Sequence, residues 1–495
     1  MNWQLVAFVL YFAVIVGIGV YFYLKTRGGN EKDYFIGGRK MNSWVTALSA
    51  QASDMSAWLL MGLPGSIFAA GLGKVWISIG LLIGTYLNWK FVAPRLRRFS
   101  QESGDAITIP EYLTNRFLAQ STALQVISAL VFLVCFTVYT ASSLKACGVL
   151  FNIVFGWDVT VTTWAAAGII LFYTFLGGFA AVCWTDFIQG ILMLCALLIV
   201  PVLALFSLQN TPSAVASAAL PEHYFNFLPS GKFDWTSIST ILSGLGWGLG
   251  YFGMPHILVR FMSIKHASMI KKSRVIAMVW VVLALAAATA VGIIGRMYVP
   301  ELADGNTEQV FIQMVGRLLP SFIGGLFLSG ILAASMSTAD SQLLVSASAF
   351  ASDIYKPIFT KNKVSDRQMM MVSRLVVLII SVIAAFIAIN PNSGNIMSLV
   401  ENAWAGFGSS FGPVIILSLF WRRFNYTGAI AGIIAGAVTD IVWLLFLSAP
   451  TGLYEIFPGF AASLIAAIVV ANMTARPSKE IEQLFDKAVT AVSQN

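Results

Sequence analysis

Residues 48–65 read LSAQASDMSAWLLMGLPG, an apolar stretch with Asp54 near its middle. If a helix begins near Trp44, Asp54 lies about 15 Å deep in a hydrocarbon core about 30 Å thick, where a bare charge costs about 2.5 kcal/mol or more. The flanking serines and alanines are small, which favours an unwound turn whose free carbonyls face a cavity. We interpret Asp54 as part of a cation site. The alternative is a carboxylate that caps a helix fragment or bonds a neighbouring span.

A second polar patch lies in residues 330–346, GILAASMSTADSQLLVS. Ser337, Asp340 and Ser341 are three and four residues apart and therefore share one helix face, with Thr338 alongside. Single hydroxyls inside spans often only bond their own helix, but four polar groups in five positions are harder to explain that way. Carboxylate, hydroxyl and carbonyl oxygens without His or Cys suit a hard cation such as an alkali ion.

A third unusual stretch, residues 242–256, reads LSGLGWGLGYFGMPH and holds five glycines between Gly244 and Gly253. Each glycine weakens a helix by about 1 kcal/mol relative to alanine. The density of glycines therefore predicts a second broken span. Such a break would expose Trp247 and Tyr251, one helical turn apart, to a cavity.

The composition indicates what kind of protein holds these stretches. Of 495 residues, 58% are hydrophobic and only 11% are charged, which is typical of a polytopic membrane protein. No Walker A sequence or nucleophile elbow occurs, and the four cysteines and three histidines have no metal-ligand spacing. The sequence therefore argues against ATP drive, hydrolytic catalysis and a structural metal, and the net charge of +8 does not by itself imply a nucleic-acid partner.

A hydropathy window of about 19 residues finds the apolar segments that must position these residues. We predict an all-α integral membrane protein with thirteen transmembrane helices, near residues 3–24, 42–65, 73–94, 122–147, 158–182, 188–208, 236–255, 275–298, 318–350, 372–390, 398–420, 427–448 and 453–473.

The distribution of Lys and Arg predicts the orientation of these spans, because cytoplasmic loops carry the excess of positive charge. The loops after odd-numbered spans and the C-terminal tail hold 25 of the 30 basic residues, Arg260 among them. The N-terminus is therefore expected outside and the C-terminus inside. A single transporter domain is expected over residues 1–473, followed by a short cytoplasmic tail, 474–495, with helical spacing of its apolar residues.

The two broken spans are the second and the seventh, and an odd offset inverts topology. They would therefore open two inverted five-helix repeats, formed by spans 2–6 and 7–11, at about 42–208 and 236–420. The inference depends on position and parity alone.

Five stretches together resemble the sodium:solute symporter family, from about residue 20 to residue 470: VTALSAQASDMSAWLLMGLPG, YTFLGGFAAVCWTDFIQG, GWGLGYFGMPHILVRFM, ILAASMSTADSQLLVSASA and AWAGFGSSFGPVIILSLFWRR. The resemblance implies a leucine-transporter-type fold and sodium-coupled import by alternating access. The proline-transporting members are the most similar, so the expected substrates are L-proline and the co-transported Na⁺. The resemblance also implies a multi-pass protein of the plasma membrane, the inner membrane of a bacterium, where lipid surrounds the helices.

The same resemblance implies particular site residues. Sodium would bind backbone carbonyls and hydroxyls near Asp54, while Ser56 and four aromatic residues would surround the substrate. The implied metal residues are Ala52, Asp54, Met55, Ala334, Ser337 and Thr338. The implied substrate residues are Ser56, Trp58, Tyr139, Trp247 and Tyr251.

Some family members bind a second sodium at an aspartate that matches Asp186 and at serines near the first site. Here Ser341 matches one such serine, but Asp340 stands where the nearest relatives have serine. We expect Asp186, Asp340 and Ser341 either to share a second cation, with a proton as the fallback occupant, or to have a structural role.

Two alternatives to proline import stay open. One is a sodium symporter for another amino acid, a vitamin or a sugar acid. The other, a sensor or channel built on the same helices, is disfavoured because sensors of this type carry a kinase module after the spans, and only about 22 residues follow the last one here.

Overall fold

The computed structural model describes residues 2–26, 31–209, 220–360 and 363–493. These residues form helices and connecting loops, and the only extended pairing described among them is a single bridge between Met41 and Ile264. The described α-helices of eight or more residues are α1 (Trp3–Thr26), α2 (Ser43–Asp54), α3 (Leu63–Ala70), α4 (Val75–Leu87), α5 (Ala93–Glu102), α6 (Ile109–Arg116), α7 (Ala123–Phe155), α8 (Val159–Gln209), α9 (Trp235–Gly250), α10 (Pro255–Ser263), α11 (Ile270–Tyr298), α12 (Val310–Leu318), α13 (Ser321–Ser348), α14 (Asp366–Ile389), α15 (Ile396–Phe420), α16 (Tyr426–Val442), α17 (Ile456–Met473) and α18 (Lys479–Ser493). A π-helix, Ala349–Phe359, continues α13.

Ten helices in the described part of the chain are long and apolar enough to cross a membrane. The chain is therefore an all-helical membrane protein. Three of the thirteen expected segments, the second, fifth and seventh, do not give one uninterrupted long helix. The backbone changes direction after Asp54 in the second segment, at Gly178 in the fifth and at Tyr251–Met254 in the seventh.

The first interruption comes directly after Asp54. Asn42 caps the start of α2 by accepting hydrogen bonds from the amides of Trp44 and Val45. The helix ends at Asp54 because Met55 has φ −90° and ψ 78°, which is not helical. A π-helical turn, Trp58–Gly62, then leads into α3. The small residues of this stretch thus surround a real break in the middle of a span.

The second interruption lies at Tyr251–Met254, between α9 and α10. The expected break in this glycine-rich span is confirmed: α9 stays helical through Gly250, and the break that follows includes Gly253. The glycines within α9 allow it to contact α4 closely. A Cβ on Gly248 would lie 2.3 Å from the Gly80 carbonyl oxygen, and one on Gly84 would lie 2.5 Å from the Gly248 Cα. Only residues without a side chain permit this approach.

The third interruption is at Gly178 inside α8, where φ is +58° and ψ is −171°. This backbone conformation favours glycine because other L-residues are strained there. The chain changes direction at Gly178, so the expected boundary between the fifth and sixth spans, residues 182–188, was placed too late. Asp186 therefore lies on the second part of α8, near its beginning.

Helices α13 and α15 form the centre of the bundle and are buried over most of their length. In contrast, α16 exposes Ile434, Val438 and Ile441 on its outer side. The polar stretch around Ser337 therefore lies at the centre of the protein, where a side chain can contact several other helices.

The C-terminal helix α18 packs against α5 and the end of α6 at one end of the bundle. Phe485 is buried against Phe99 of α5 at a ring separation of 5.3 Å, and the Arg116 guanidinium lies 4.9 Å from its ring centroid. Arg422 donates two hydrogen bonds to the Asp486 carboxylate, at 2.9 and 2.8 Å. The amphipathic tail predicted from the sequence is therefore a docked helix.

Candidate functional site

The break after α2 faces the middle of α13. The Ser337 hydroxyl donates a hydrogen bond to the Ala52 carbonyl oxygen at 2.8 Å, and it lies 3.2 Å from the Ala334 carbonyl oxygen. These three oxygens come from positions up to 285 residues apart in the chain. All three residues are fully buried. The structure thus brings together three of the expected metal residues.

Thr338 and Met55 complete the expected set of ligands. Both residues are fully buried. The Thr338 hydroxyl oxygen has no hydrogen-bond partner among the described residues. A buried hydroxyl without a partner is costly, and a bound ion or water would remove that cost. The local donor set is made only of oxygens, which fits a hard monovalent cation.

Asp54 lies between the expected metal residues and the aromatic residues. Its carboxylate Oδ2 accepts a hydrogen bond from the Tyr251 hydroxyl at 2.5 Å, while Oδ1 has no partner in the described structure. Its backbone carbonyl accepts hydrogen bonds from the Tyr139 hydroxyl at 3.1 Å and the Trp58 indole at 3.3 Å. Three of the four expected aromatic residues therefore donate hydrogen bonds to Asp54.

The expected aromatic residues form one buried cluster. Trp58 and Trp247 lie with ring centroids 5.6 Å apart, so the two broken spans meet here. Ser56 is buried in the first break, where its backbone amide donates a hydrogen bond to the Asp54 carbonyl oxygen. The five residues expected around a substrate are thus brought to the two breaks.

Two further aromatic residues of this cluster were missed by sequence reasoning. Trp404 of α15 donates its indole hydrogen to the Trp247 carbonyl oxygen at 2.8 Å and packs edge-on against Tyr251 at 5.2 Å. Tyr454 packs against Trp247 at 5.7 Å. Both contacts join residues that are far apart in the chain, so no local pattern predicts them. Gly250 is the one nearby residue whose type reflects the close packing of Trp404. A Cβ there would lie 2.0 Å from the Trp404 indole nitrogen.

A polar cavity of about 270 Å³ opens beside this cluster. Trp247 and Tyr454 line it, together with Lys74 and Glu401. Trp247 therefore forms a wall between the cavity and the buried Trp58 ring.

The group expected to hold a second cation has a different arrangement. Asp186 is paired with Arg260, whose Nη2 lies 2.7 Å from Asp186 Oδ2. Both side chains are buried. The expectation that Arg260 lies in a cytoplasmic loop is wrong, because the seventh segment continues as α10 and carries this side chain into the protein. A guanidinium lies beside Asp186, so a cation shared by Asp186 and Asp340 would bind next to a positive charge; this sharing stays a prediction.

Ser341 and Asp340 lie at the edge of the same group. The Arg260 Nη2 donates to the Ser341 hydroxyl oxygen at 2.6 Å, and this oxygen lies 3.1 Å from Asp340 Oδ1. Ser341 thus stands between the arginine and Asp340. Among the described residues, no group of three or more His, Cys, Asp or Glu side chains is arranged to hold a metal ion.

Comparison with known proteins gives the family context of this arrangement. The model of the sodium:solute symporter family matches residues 34–436. The osmoregulated proline transporter OpuE of Bacillus subtilis (strain 168) is 44% identical over 480 residues, covering 96% of each chain. The high-affinity proline transporter PutP of the same strain is 44% identical over 96% of this chain and 99% of its own. A sodium/proline symporter of Staphylococcus aureus (strain JH9) is 42% identical over 98% of this chain and 96% of its own.

Solved structures share the fold. A Na⁺-coupled sialic acid symporter, in a substrate-bound outward-open state, has a TM-score of 0.81 over 97% of this chain and 99% of its own, at 21% identity. MhsT in complex with L-phenylalanine has a TM-score of 0.53 over 86% of this chain and 97% of its own, at 16% identity. The helical architecture is therefore one that other membrane transporters use.

Proposed function

Because the chain belongs to the sodium:solute symporter family, we propose that it imports L-proline together with sodium by alternating access. Near-full-length relatives named as proline transporters support this substrate. The chain is a multi-pass protein of the plasma membrane. It is a secondary active transporter rather than an enzyme, and Na⁺ is the ion that it co-transports.

The proposed architecture has thirteen spans, with the N-terminus outside and the C-terminus inside. Ten long apolar helices and three interrupted segments add up to this number. Spans 2–6 and 7–11 form two inverted repeats of the leucine-transporter type, at about 42–208 and 236–420, within one domain, 1–473. The bridge between Met41, which precedes α2, and Ile264, which follows α10, supports opposite directions for the two broken spans.

The proposed sodium site lies between the second and ninth spans. Its ligands are the carbonyl oxygens of Ala52, Met55 and Ala334 and the hydroxyls of Ser337 and Thr338. One observation carries this proposal: the Ser337 hydroxyl meets the Ala52 carbonyl at 2.8 Å beside a helix break. A cation bound there would take the place of the hydrogen bond between Ser337 and Ala52: the Ser337 hydroxyl would turn its hydrogen away and ligate the ion through its oxygen, and the ion would give the Thr338 hydroxyl a partner. Asp54 would favour the cation by its charge from the adjoining position.

The proposed substrate site is the aromatic cluster beside Asp54. Proline is a zwitterion with a compact apolar ring, so its site needs aromatic faces for the ring and polar groups for the charged ends. Trp58 and Trp247 supply faces, while Ser56, Tyr139 and Tyr251 supply hydroxyls. The cavity beside Trp247 would then be the way in.

Sodium coupling supplies enough free energy for accumulation. One positive charge moving across 100 mV contributes about 2.3 kcal/mol, and a tenfold sodium gradient adds about 1.4 kcal/mol. Their sum of about 3.7 kcal/mol supports accumulation of roughly 500-fold, because each 1.4 kcal/mol is a factor of ten.

Binding of radiolabelled proline to the purified protein tests this function. We expect binding to require sodium, unlabelled proline to compete better than other amino acids, and Ser337→Ala to weaken the sodium dependence. Ser329→Ala is the matched control, because Ser329 is a buried serine of the same helix that bonds only its own helix, at the Gly325 carbonyl. Competition by a different solute at much lower concentration would contradict the proline assignment, and equal effects of both serine variants would contradict the sodium site.

A further inference from the structure

A buried guanidinium lies next to the proposed sodium site, among oxygens that could themselves bind a cation. The Arg260 Nη2 lies 2.7 Å from Asp186 Oδ2 and 2.5 Å from the Ser53 hydroxyl oxygen. Its Nε donates to the Ser49 hydroxyl at 2.7 Å. With Ser341 at 2.6 Å, one carboxylate and three hydroxyls surround this one positive group.

These oxygens are of the kind that alkali cations prefer. The serines also donate to the carboxylate: Ser49 and Ser53 lie 2.7 and 2.8 Å from Asp186 Oδ2. Without Arg260, a negative carboxylate and three hydroxyls would line a buried space with no His or Cys among them. Such a set favours a hard monovalent cation.

The arginine is fixed in this position by its own helix. Its Nη1 donates to the His256 carbonyl oxygen at 2.6 Å, one turn earlier in α10. Arg260 is only 1% exposed as a side chain, and Asp186 is fully buried. The guanidinium therefore neutralises the carboxylate inside the protein, where an unpaired charge would be costly.

The arginine group and the proposed sodium site share two helices. Ser53 directly follows Ala52 in α2, and the Ser341 hydroxyl lies 2.7 Å from the Ser337 carbonyl oxygen in α13. A sodium ion placed beside the guanidinium would meet a like charge in a poorly screened environment. Occupation by Arg260 therefore disfavours a second sodium at these oxygens.

We propose that Arg260 is a built-in cation that occupies a second cation site formed by Ser49, Ser53, Asp186 and Ser341, and that replacing it with a neutral residue opens this site to sodium. The proposal rests on the proposed sodium coupling. It accounts for the position of Asp186 without a second transported ion. The proposal also predicts that replacing Arg260 changes the number of bound ions, which a merely structural ion pair does not predict.

Counting the sodium ions bound per purified protein, with radioactive sodium at equilibrium, tests the proposal. We expect one ion in the wild type, one in Arg260→Lys, which keeps a positive charge, and two in Arg260→Met. The double variant Arg260→Met with Asp186→Asn should return to one ion, because the new site has lost its carboxylate. In transport, the Hill coefficient for sodium should rise from about one towards two in Arg260→Met alone.

The outcomes separate the proposal from the function on which it rests. Two ions in the wild type overturn the proposal and leave sodium coupling intact, whereas no bound sodium overturns both. A folded Arg260→Met protein that binds only one ion also overturns the proposal. If that variant does not fold, Arg260→Gln takes its place, with the same expected count of two ions. Loss of the ion in Asp186→Asn would show that Asp186 itself holds the transported sodium and would overturn the proposal.

Discussion

The hydroxyl of Tyr251 lies 2.5 Å from Oδ2 of Asp54, so the second broken span donates a hydrogen bond directly to the carboxylate at the end of the first broken helix. The other carboxylate oxygen has no partner among the described residues. The proposed substrate cluster and the proposed sodium site are therefore connected through one hydrogen bond. A change in either the substrate or the ion can reach the other through Asp54.

We predict that Tyr251→Phe weakens the apparent sodium affinity by about tenfold, because a hydrogen bond to a charged group contributes about 1.5–3 kcal/mol. The measurement is the sodium dependence of proline binding. Tyr454→Phe is the control, since that hydroxyl donates to the Glu401 carbonyl instead, at 2.7 Å. Equal sodium affinities in the two variants would contradict the prediction.

Trp404→Phe should weaken proline binding by about fivefold, because it removes one neutral hydrogen bond of about 1 kcal/mol to the Trp247 backbone and loosens that wall. Isothermal titration at saturating sodium measures the effect. Trp235→Phe is the control, because it loses an indole bond of the same length, 2.8 Å, to Thr451 on the exposed surface. If the control lowers affinity as much, Trp404 does not act through the cluster.

The contact between α4 and α9 predicts a stability effect. Gly248→Ala would place a methyl group 2.3 Å from the Gly80 carbonyl oxygen. Overpacking of this kind costs about 1–3 kcal/mol, so the apparent melting temperature in detergent should fall. Gly168→Ala, at a helical glycine with nothing within 4 Å of the added Cβ, should leave it unchanged. A stable Gly248→Ala protein would show that the two helices can separate without cost.

Docking of the tail helix should depend on pH only in acid. The hydrogen bond from Arg422 lowers the pKa of Asp486 below its usual value. Its contribution is therefore present above the unfolded pKa of about 3.9 and is lost as the pH falls through the lower, folded value. Hydrogen exchange of residues 479–493, corrected for intrinsic rates, should be constant from about pH 5 to 8 and increase below about pH 4. Asp486→Asn should weaken the dependence without abolishing it, because Glu482 pairs with Arg422 and Glu102 pairs with Lys487 across the same contact. Undocking of the wild type near neutral pH would contradict the prediction.

Local patterns predicted the first break and the polar face of α13. Small residues around Asp54, and hydroxyls at helical spacing around Ser337, are signals that lie within a few positions of one another. Such signals predict where a helix breaks and which face of a helix is polar. The residues of the proposed ion site could therefore be predicted from two short stretches of sequence. That the two stretches face each other came from the family resemblance.

The partners of Asp186 and Trp247 could not be predicted in that way. Arg260 lies 74 residues from Asp186 and follows an apolar segment, where a basic residue ordinarily indicates a cytoplasmic loop. Trp404 lies 157 residues from Trp247, and no periodicity relates the two. The packing role of the glycines of α9 could not be predicted either, because it depends on the facing helix α4 and not on their own propensity.

Transport by proteoliposomes tests the central claim most directly. Proline uptake should occur when an inward sodium gradient is imposed, should increase with an inside-negative potential, and should move net positive charge inward. Potassium or choline in place of sodium should abolish it. Uptake that persists without sodium and without a proton gradient, or that carries no charge, would contradict sodium-coupled proline symport.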